Sequence, residues 1–205
     1  MERNTRFVLA SSSPRRRRIL ETLGFDCIVA PASLEEHIHE HEHPDDYVQR
    51  VAREKLHTVR PNWPDNLVIA ADTIVVLGRS ILSKPSSPAD AGTMLGRLSG
   101  RWHTVQTAVA LGNGNQEIAG VSTTLVKFRI LSEPEIRFYV DTGEPLDKAG
   151  SYGIQGLGAA LVEKIEGSCS NVAGFPVETF LSLVEKLLGP PWTRFAHSPR
   201  PDLPG

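Results

Sequence analysis

Leu9-Ala10-Ser11-Ser12-Ser13-Pro14-Arg15-Arg16-Arg17-Arg18 is the stretch around which the chain reads. The apolar run Phe7 to Ala10 has the composition of a strand and stops at three hydroxyls. Pro14 suits the first turn of a helix, and Ile19, Leu20 and Leu23 resume at helical spacing behind the arginines. Strand, short turn and helix N-terminus would bring backbone N–H groups, serine hydroxyls and guanidinium forks together, a combination suited to phosphate. A serine-rich cap leading into a solvated basic helix face has the same sequence. Successive helical residues lie about 100° apart, so four arginines cannot all reach one ligand. One or two are expected at a site, the others in water or paired with carboxylates such as Glu21.

The 205 residues are 40% hydrophobic and 22% charged, enough for one globular domain or two closely joined lobes with a substantial core. With 22 Lys and Arg against 24 Asp and Glu, the net charge of −2 gives no general nucleic-acid or membrane surface, so an anion site must be local. A nucleic-acid reading of the arginine run also lacks a second basic patch with interleaved aromatics. No apolar run of about 18 residues suggests a membrane span, the basic start lacks the apolar core of a secretory signal, and a cytoplasmic location is the expectation. Cys27 and Cys169 lack CxxC spacing, which argues against a disulfide framework or zinc site.

Outward from the opening stretch, Phe25 to Ala30 reads as a second short strand. Glu35 to Asp46 is dense in Glu and His; alternating histidines share a face only on an extended strand, and a solvated loop is the expectation, with Glu35 and Glu36 as candidate site carboxylates at its start. Tyr47 to Val59 has helical spacing and carries Lys55 on its charged face. Leu67 to Ala71 is continuously apolar, ends on Asp72-Thr73 and resumes at Ile74. Asp72 in such surroundings either pairs with a basic residue or holds a cation and activates water, and the second use is favoured where strands of α/β proteins end. A hairpin turn at Gly78 to Ser80 leads to Lys84, held extended by Pro85. Pro88 to Ser99 is an amphipathic helix, and Trp102 to Leu111 with Ile118 to Ile130 is a long hairpin about Gly112-Asn113-Gly114-Asn115. A helix begins at Pro134. The glycines at 150, 153, 156 and 158 allow close backbone approach to a ligand around Gln155, whose amide can read the edge of a base; a plain connector before a strand at Ala160 to Ile165 is the bland reading. After a turn at Asn171 to Pro176, Val177 to Leu188 forms the last helix.

Leu9-Ala10-Ser11 with Ser13-Pro14-Arg15-Arg16, Ala52-Arg53-Glu54-Lys55, Ala71-Asp72-Thr73, Lys84-Pro85, Leu98-Ser99-Gly100, Glu144 to Gly150, Gln155-Gly156 and Asn171-Val172 with Gly174-Phe175-Pro176 together resemble the Maf family of nucleoside triphosphate pyrophosphatases. The likeness covers nearly everything before Gly189, leaving out the His-rich loop and the Pro-rich tail. It implies an elongated, two-lobed, inosine-triphosphatase-like α/β domain over 1–189, with a central mixed β-sheet flanked by helices and a nucleotide cleft between lobes. The remaining residues, 190–205, are expected to be a disordered tail.

The resemblance implies hydrolysis of a nucleoside triphosphate to monophosphate and pyrophosphate with a divalent cation, Mg²⁺ or Mn²⁺, in a house-cleaning role. Asp72 would accept the proton of the attacking water; Ser11, Ser13, Arg15, Arg16, Lys55 and Lys84 would hold phosphates; Asp72 and Glu35 would face the metal. Arg15, Thr73 and Gln155 match the specificity positions of the branch acting on dTTP and UTP rather than methylated GTP. Ser168-Cys169-Ser170 departs from the aromatic residues often found before Asn171-Val172. A homodimer is also implied, and the alternative activity is that of a nucleotide-binding regulator of cell division or septum formation with little catalysis.

Overall fold

A computed structural model describes residues 7–114 and 116–197. In chain order its elements are β1 (Phe7–Leu9), α1 (Pro14–Thr22), β2 (Cys27–Val29), α2 (Pro44–Val59), β3 (Leu67–Leu77), β4 (Ser80–Leu82), α3 (Pro88–Leu98), β5 (Trp102–Asn113), β6 (Gln116–Phe128), α4 (Glu133–Asp141), β7 (Val162–Glu166), α5 (Cys169–Val172) and α6 (Val177–Leu188). Short 3-10 segments fill Glu144–Asp147, Ala149–Ser151 and Gly156–Leu161. The strands form one mixed sheet in the order β2-β1-β3-β5-β6-β7, with β4 paired to β3; β1 runs parallel to both of its neighbours and the other pairs are antiparallel. This is the expected α/β class, a central mixed sheet flanked by helices.

Period-two alternation along β3 divides the core. Leu67, Ile69 and Ala71 pack with Phe7, Leu9, Leu20 of α1, and Phe180 and Leu183 of α6. Val68, Ala70, Ile74 and Val76 face the other way, onto Tyr47, Val48, Val51, Ala52 and Leu56 of α2. Those α2 positions recur at helical spacing, and at about 1.5–3 kcal/mol for each large side chain fully buried, this face rather than intrinsic propensity holds the helix in place. Farther along, Val75 joins Leu82, Leu95, Leu98, Phe128 and Tyr139 under α3 and α4.

Two expectations are corrected. The apolar run does not end at Asp72: β3 is one continuous strand, because β5 pairs with it from Val68 to Val76 without a break. The tail does not leave the body at residue 190. Trp192 stacks on Phe25 with ring centroids 6.0 Å apart and planes 28° from parallel, and the His197 N–H donates to the Gly24 carbonyl at 2.8 Å. After Pro190-Pro191 the chain makes one short 3-10 turn, Trp192–Arg194, which sets the indole on an open apolar face. The rest of the Pro-rich stretch, 198–205, and Asn115 of the hairpin turn lie outside the described residues. Among the described residues no helix is long and apolar enough to cross a membrane.

Candidate active site

The site follows from how β3 changes partners. Along one edge it is in register with β1 only as far as Ile69, and with β4 only from Val75 onward. Residues 70–74 of that edge therefore have no strand partner, while the other edge stays paired with β5. A cleft of about 410 Å³ opens over this interval. Its walls are the turn after β1 (Ser11 to Ser13) with the start of α1, the middle of β3, Ser83 and Lys84 after β4, and the loop around Gln155. A break between a parallel and an antiparallel partner is the kind of topological switch point at which α/β sheets place ligands.

Asp72 points to the α2 side of the sheet and is 5% exposed. Lys55 of α2 donates to its Oδ1 at 2.6 Å and meets Glu36 Oε1 at the same distance. A buried carboxylate is tolerated because this ammonium compensates its charge. Burial nevertheless raises the pKa of Asp72 above the ordinary aspartate value; Lys55 opposes the shift and Glu36 adds to it. Of the two uses foreseen for Asp72, the structure shows the ion pair, with the carboxylate lining the cleft.

The second carboxylate is Glu36, not Glu35. Glu35 is 91% exposed and pairs with His37 at 3.2 Å, away from the cleft. Ala30, Ala32 and Leu34 pack against the α2 core, so the alternation of this extended segment turns the next even residue, Glu36, inward. That parity of small and apolar residues was a signal in the sequence.

Arg16 is held on three sides. Its Nε donates to the Gly174 carbonyl at 2.8 Å, Nη1 to Ser11 Oγ at 3.1 Å and Nη2 to Thr73 Oγ1 at 3.0 Å. Burial lowers its pKa, against the pull of Asp72. The guanidinium is therefore a fixed cation beside the cleft, and Thr73, which also bonds Thr107 Oγ1 at 3.0 Å, serves first to fix it. Ser11 Oγ also accepts the Ser13 N–H at 3.2 Å, and Ser13 caps α1 by accepting the Arg16 N–H at 3.5 Å. Both hydroxyls accept inward, so each keeps its proton for a ligand. Arg15 lines the cleft and lies 3.8 Å from Asp147 on the opposite wall; Arg17 pairs with Glu21 at 2.6 Å on the helix surface. Arg18 sits outside the cleft in an adjoining hollow. Lys84 and Gln155 both line the cleft.

Lys148 and Tyr152 line the cleft as well and were not singled out from the sequence. The Tyr152 hydroxyl meets His103 Nε2 at 2.7 Å inside the core. In place of aromatic side chains, hydroxyls support the Asn171 loop: Ser168 and Ser170 donate to Glu178 Oε2 at 3.1 and 3.3 Å, and Ser168 Oγ caps α5 by accepting the Asn171 N–H. All the proposed site residues except Glu35 thus converge on one cleft.

A sequence model for a family described as Maf-like protein matches residues 6–187. Among curated relatives, proteins named dTTP/UTP pyrophosphatase match at 44% identity in Symbiobacterium thermophilum (91% of this chain, 96% of the relative) and 48% in Myxococcus xanthus (92% and 96%). The relative of that name from Desulfotalea psychrophila is 51% identical (88% and 92%). Among solved structures, the Staphylococcus aureus Ham1 protein shares the fold, with a TM-score of 0.52 at 13% identity over 89% of this chain and 97% of that one.

Proposed function

Because this chain belongs to the Maf family, we propose that its cleft hydrolyses nucleoside triphosphates, dTTP and UTP foremost, to the monophosphate and pyrophosphate. The carrying observation is the meeting of a buried, charge-compensated Asp72 with several cations over the open interval of β3. A triphosphate carries about four negative charges near neutrality, and Arg15, Arg16, Lys55 and Lys84 with the α1 N-terminus supply the opposing field. Lys55 engages Asp72 Oδ1, and Oδ2 is the atom that takes a proton from water. The water oxygen bonds the α-phosphorus as the bond from that phosphorus to the bridging oxygen breaks; pyrophosphate departs with its charge held by the same cations.

A divalent cation fits the donor set. Among the described residues no three His, Cys, Asp or Glu side chains form a complete cage. Mg²⁺, however, is commonly held by one or two carboxylates with substrate oxygens and waters completing the shell. Asp72 and Glu36, which share the Lys55 ammonium, are the two that would hold it. When bound, the ion would neutralise phosphate charge and favour ionised water. Arg15 and Gln155 flank the cleft and are assigned the reading of the base, with Thr73 acting through Arg16. We assign the protein to the cytoplasm, where its substrates are made and used, and to a homodimer, which light scattering checks.

The test is a panel of dTTP, UTP, 5-methyl-UTP, CTP and 7-methyl-GTP with Mg²⁺ or Mn²⁺, read by pyrophosphate release. Pyrophosphate from dTTP and UTP, abolished by chelation and restored by the metal, is expected. Orthophosphate as the sole product, or nucleotide binding without turnover under every common divalent ion, would sink the assignment.

A further inference from the structure

The cleft wall that carries Gln155 has little regular backbone of its own. Two side chains outside the cleft hold it at both ends. Tyr139 of α4, 2% exposed, donates its hydroxyl to Glu144 Oε1 at 2.8 Å and accepts the Gly153 N–H at 3.2 Å. The Glu144 carboxylate also accepts the Leu157 N–H at 3.3 Å and the Gly158 N–H at 3.2 Å. Between those anchors Ile154 and Gln155 form part of the cleft lining.

The fit is close enough to require bare backbone. A Cβ on Gly158 would stand 2.1 Å from the Gly153 carbonyl oxygen and 2.6 Å from the Tyr139 hydroxyl, and one on Gly156 would stand 3.0 Å from Glu144 Oε2. Glu144 is itself fixed: its N–H donates to Thr142 Oγ1 at 3.1 Å, and its carbonyl accepts from Lys148. Three loop N–H groups thus share an acceptor system made of one phenol and one carboxylate.

We propose that Tyr139 and Glu144 are positioning residues for nucleobase selection: they clamp both ends of the Gly153 to Gly158 loop so that the Gln155 amide is held where it can read the base. This rests on the assignment of Gln155 as a base-reading residue. An amide that discriminates one base edge from another must be held to a fraction of a hydrogen-bond length, whereas the phosphate grip lies on the turn after β1, α1, α2 and Lys84 after β4, none of which the clamp touches.

Steady-state kinetics on dTTP, UTP and CTP, with Glu144→Gln and Tyr139→Phe beside the wild type, tests this. Glu144→Gln keeps the shape but turns one acceptor oxygen into a donor facing loop N–H groups; Tyr139→Phe removes a single oxygen and carries the test if the first variant fails to fold. The preference for dTTP over CTP in kcat/KM is expected to fall about tenfold through KM, with kcat on dTTP within about threefold of wild type. Amide hydrogen exchange should quicken at 153–158 and not in β3. An unchanged preference, or an equal loss of kcat on all three nucleotides, would overturn the clamp. A wild type that turns over triphosphates without base preference would overturn the reading of Gln155 and the clamp with it, leaving the catalytic assignment standing.

Discussion

At the scale of single residues, Asp72 is the most exacting. Its folded pKa is raised by burial, so as pH falls its protonation should shut off turnover at a higher pH than an ordinary aspartate would. The same shift makes ionisation costly to folding: stability is lost as pH rises through the folded pKa. Asp72→Asn is therefore expected to lower kcat by roughly 100- to 10,000-fold while its thermal midpoint at pH 8 stays at or above wild type, checked by pyrophosphate release and calorimetry. Glu35 and Glu36 offer an internal comparison. Glu36→Gln should weaken metal-dependent turnover by about tenfold or more, and Glu35→Gln, on the exposed side, should leave it within about twofold; a metal titration of both checks this. Asp72 was legible in the sequence because a carboxylate amid apolar residues demands an explanation. The choice between the two adjacent glutamates needed the alternation of Ala30, Ala32 and Leu34 carried one step farther.

At the scale of elements, helices and hairpins were legible because their periodicities are local. The break in pairing beside β3 was not. Leu67 to Leu77 is uninterrupted as a strand, and only the lengths of β1 and β4, which are set by non-local register, create the interval. The Gly-rich run shows the same limit: its glycines signalled freedom, and the structure shows what uses it. Gly150 has φ +66°, and a Cβ there would meet Val75 Cβ at 2.8 Å. Gly150→Ala should destabilise the protein by about 2–5 kcal/mol, the sum of a left-handed alanine and an overlap with β3, measured by urea unfolding.

At the scale of the whole molecule, pH also acts through a group buried behind the cleft wall. His103, 2% exposed, has its pKa pulled from 6.5 to about 4 by burial. Its neutral form is the one the fold accepts, so its contribution is present above pH 6.5 and lost as pH falls toward 4, on the order of 3 kcal/mol in all. Thermal midpoints across that window should fall, and less steeply in His103→Gln. The sequence suggested a domain ending at 189; the docking of Trp192 on Phe25 extends the packed body to His197, a long-range contact that composition could not announce.

The unpartnered interval of β3 has a bearing on solubility as well as on chemistry. A bare sheet edge is ordinarily a template on which a foreign strand can grow. Here β1 and β4 close the interval at both ends, and Lys55, Arg16 and Lys84 stand around it. An intruding chain would have to enter a short, charged slot with no straight run beyond it, a poor seed for aggregation. The sheet can thus leave its middle strand uncovered for a small polyanion while remaining closed to polypeptide.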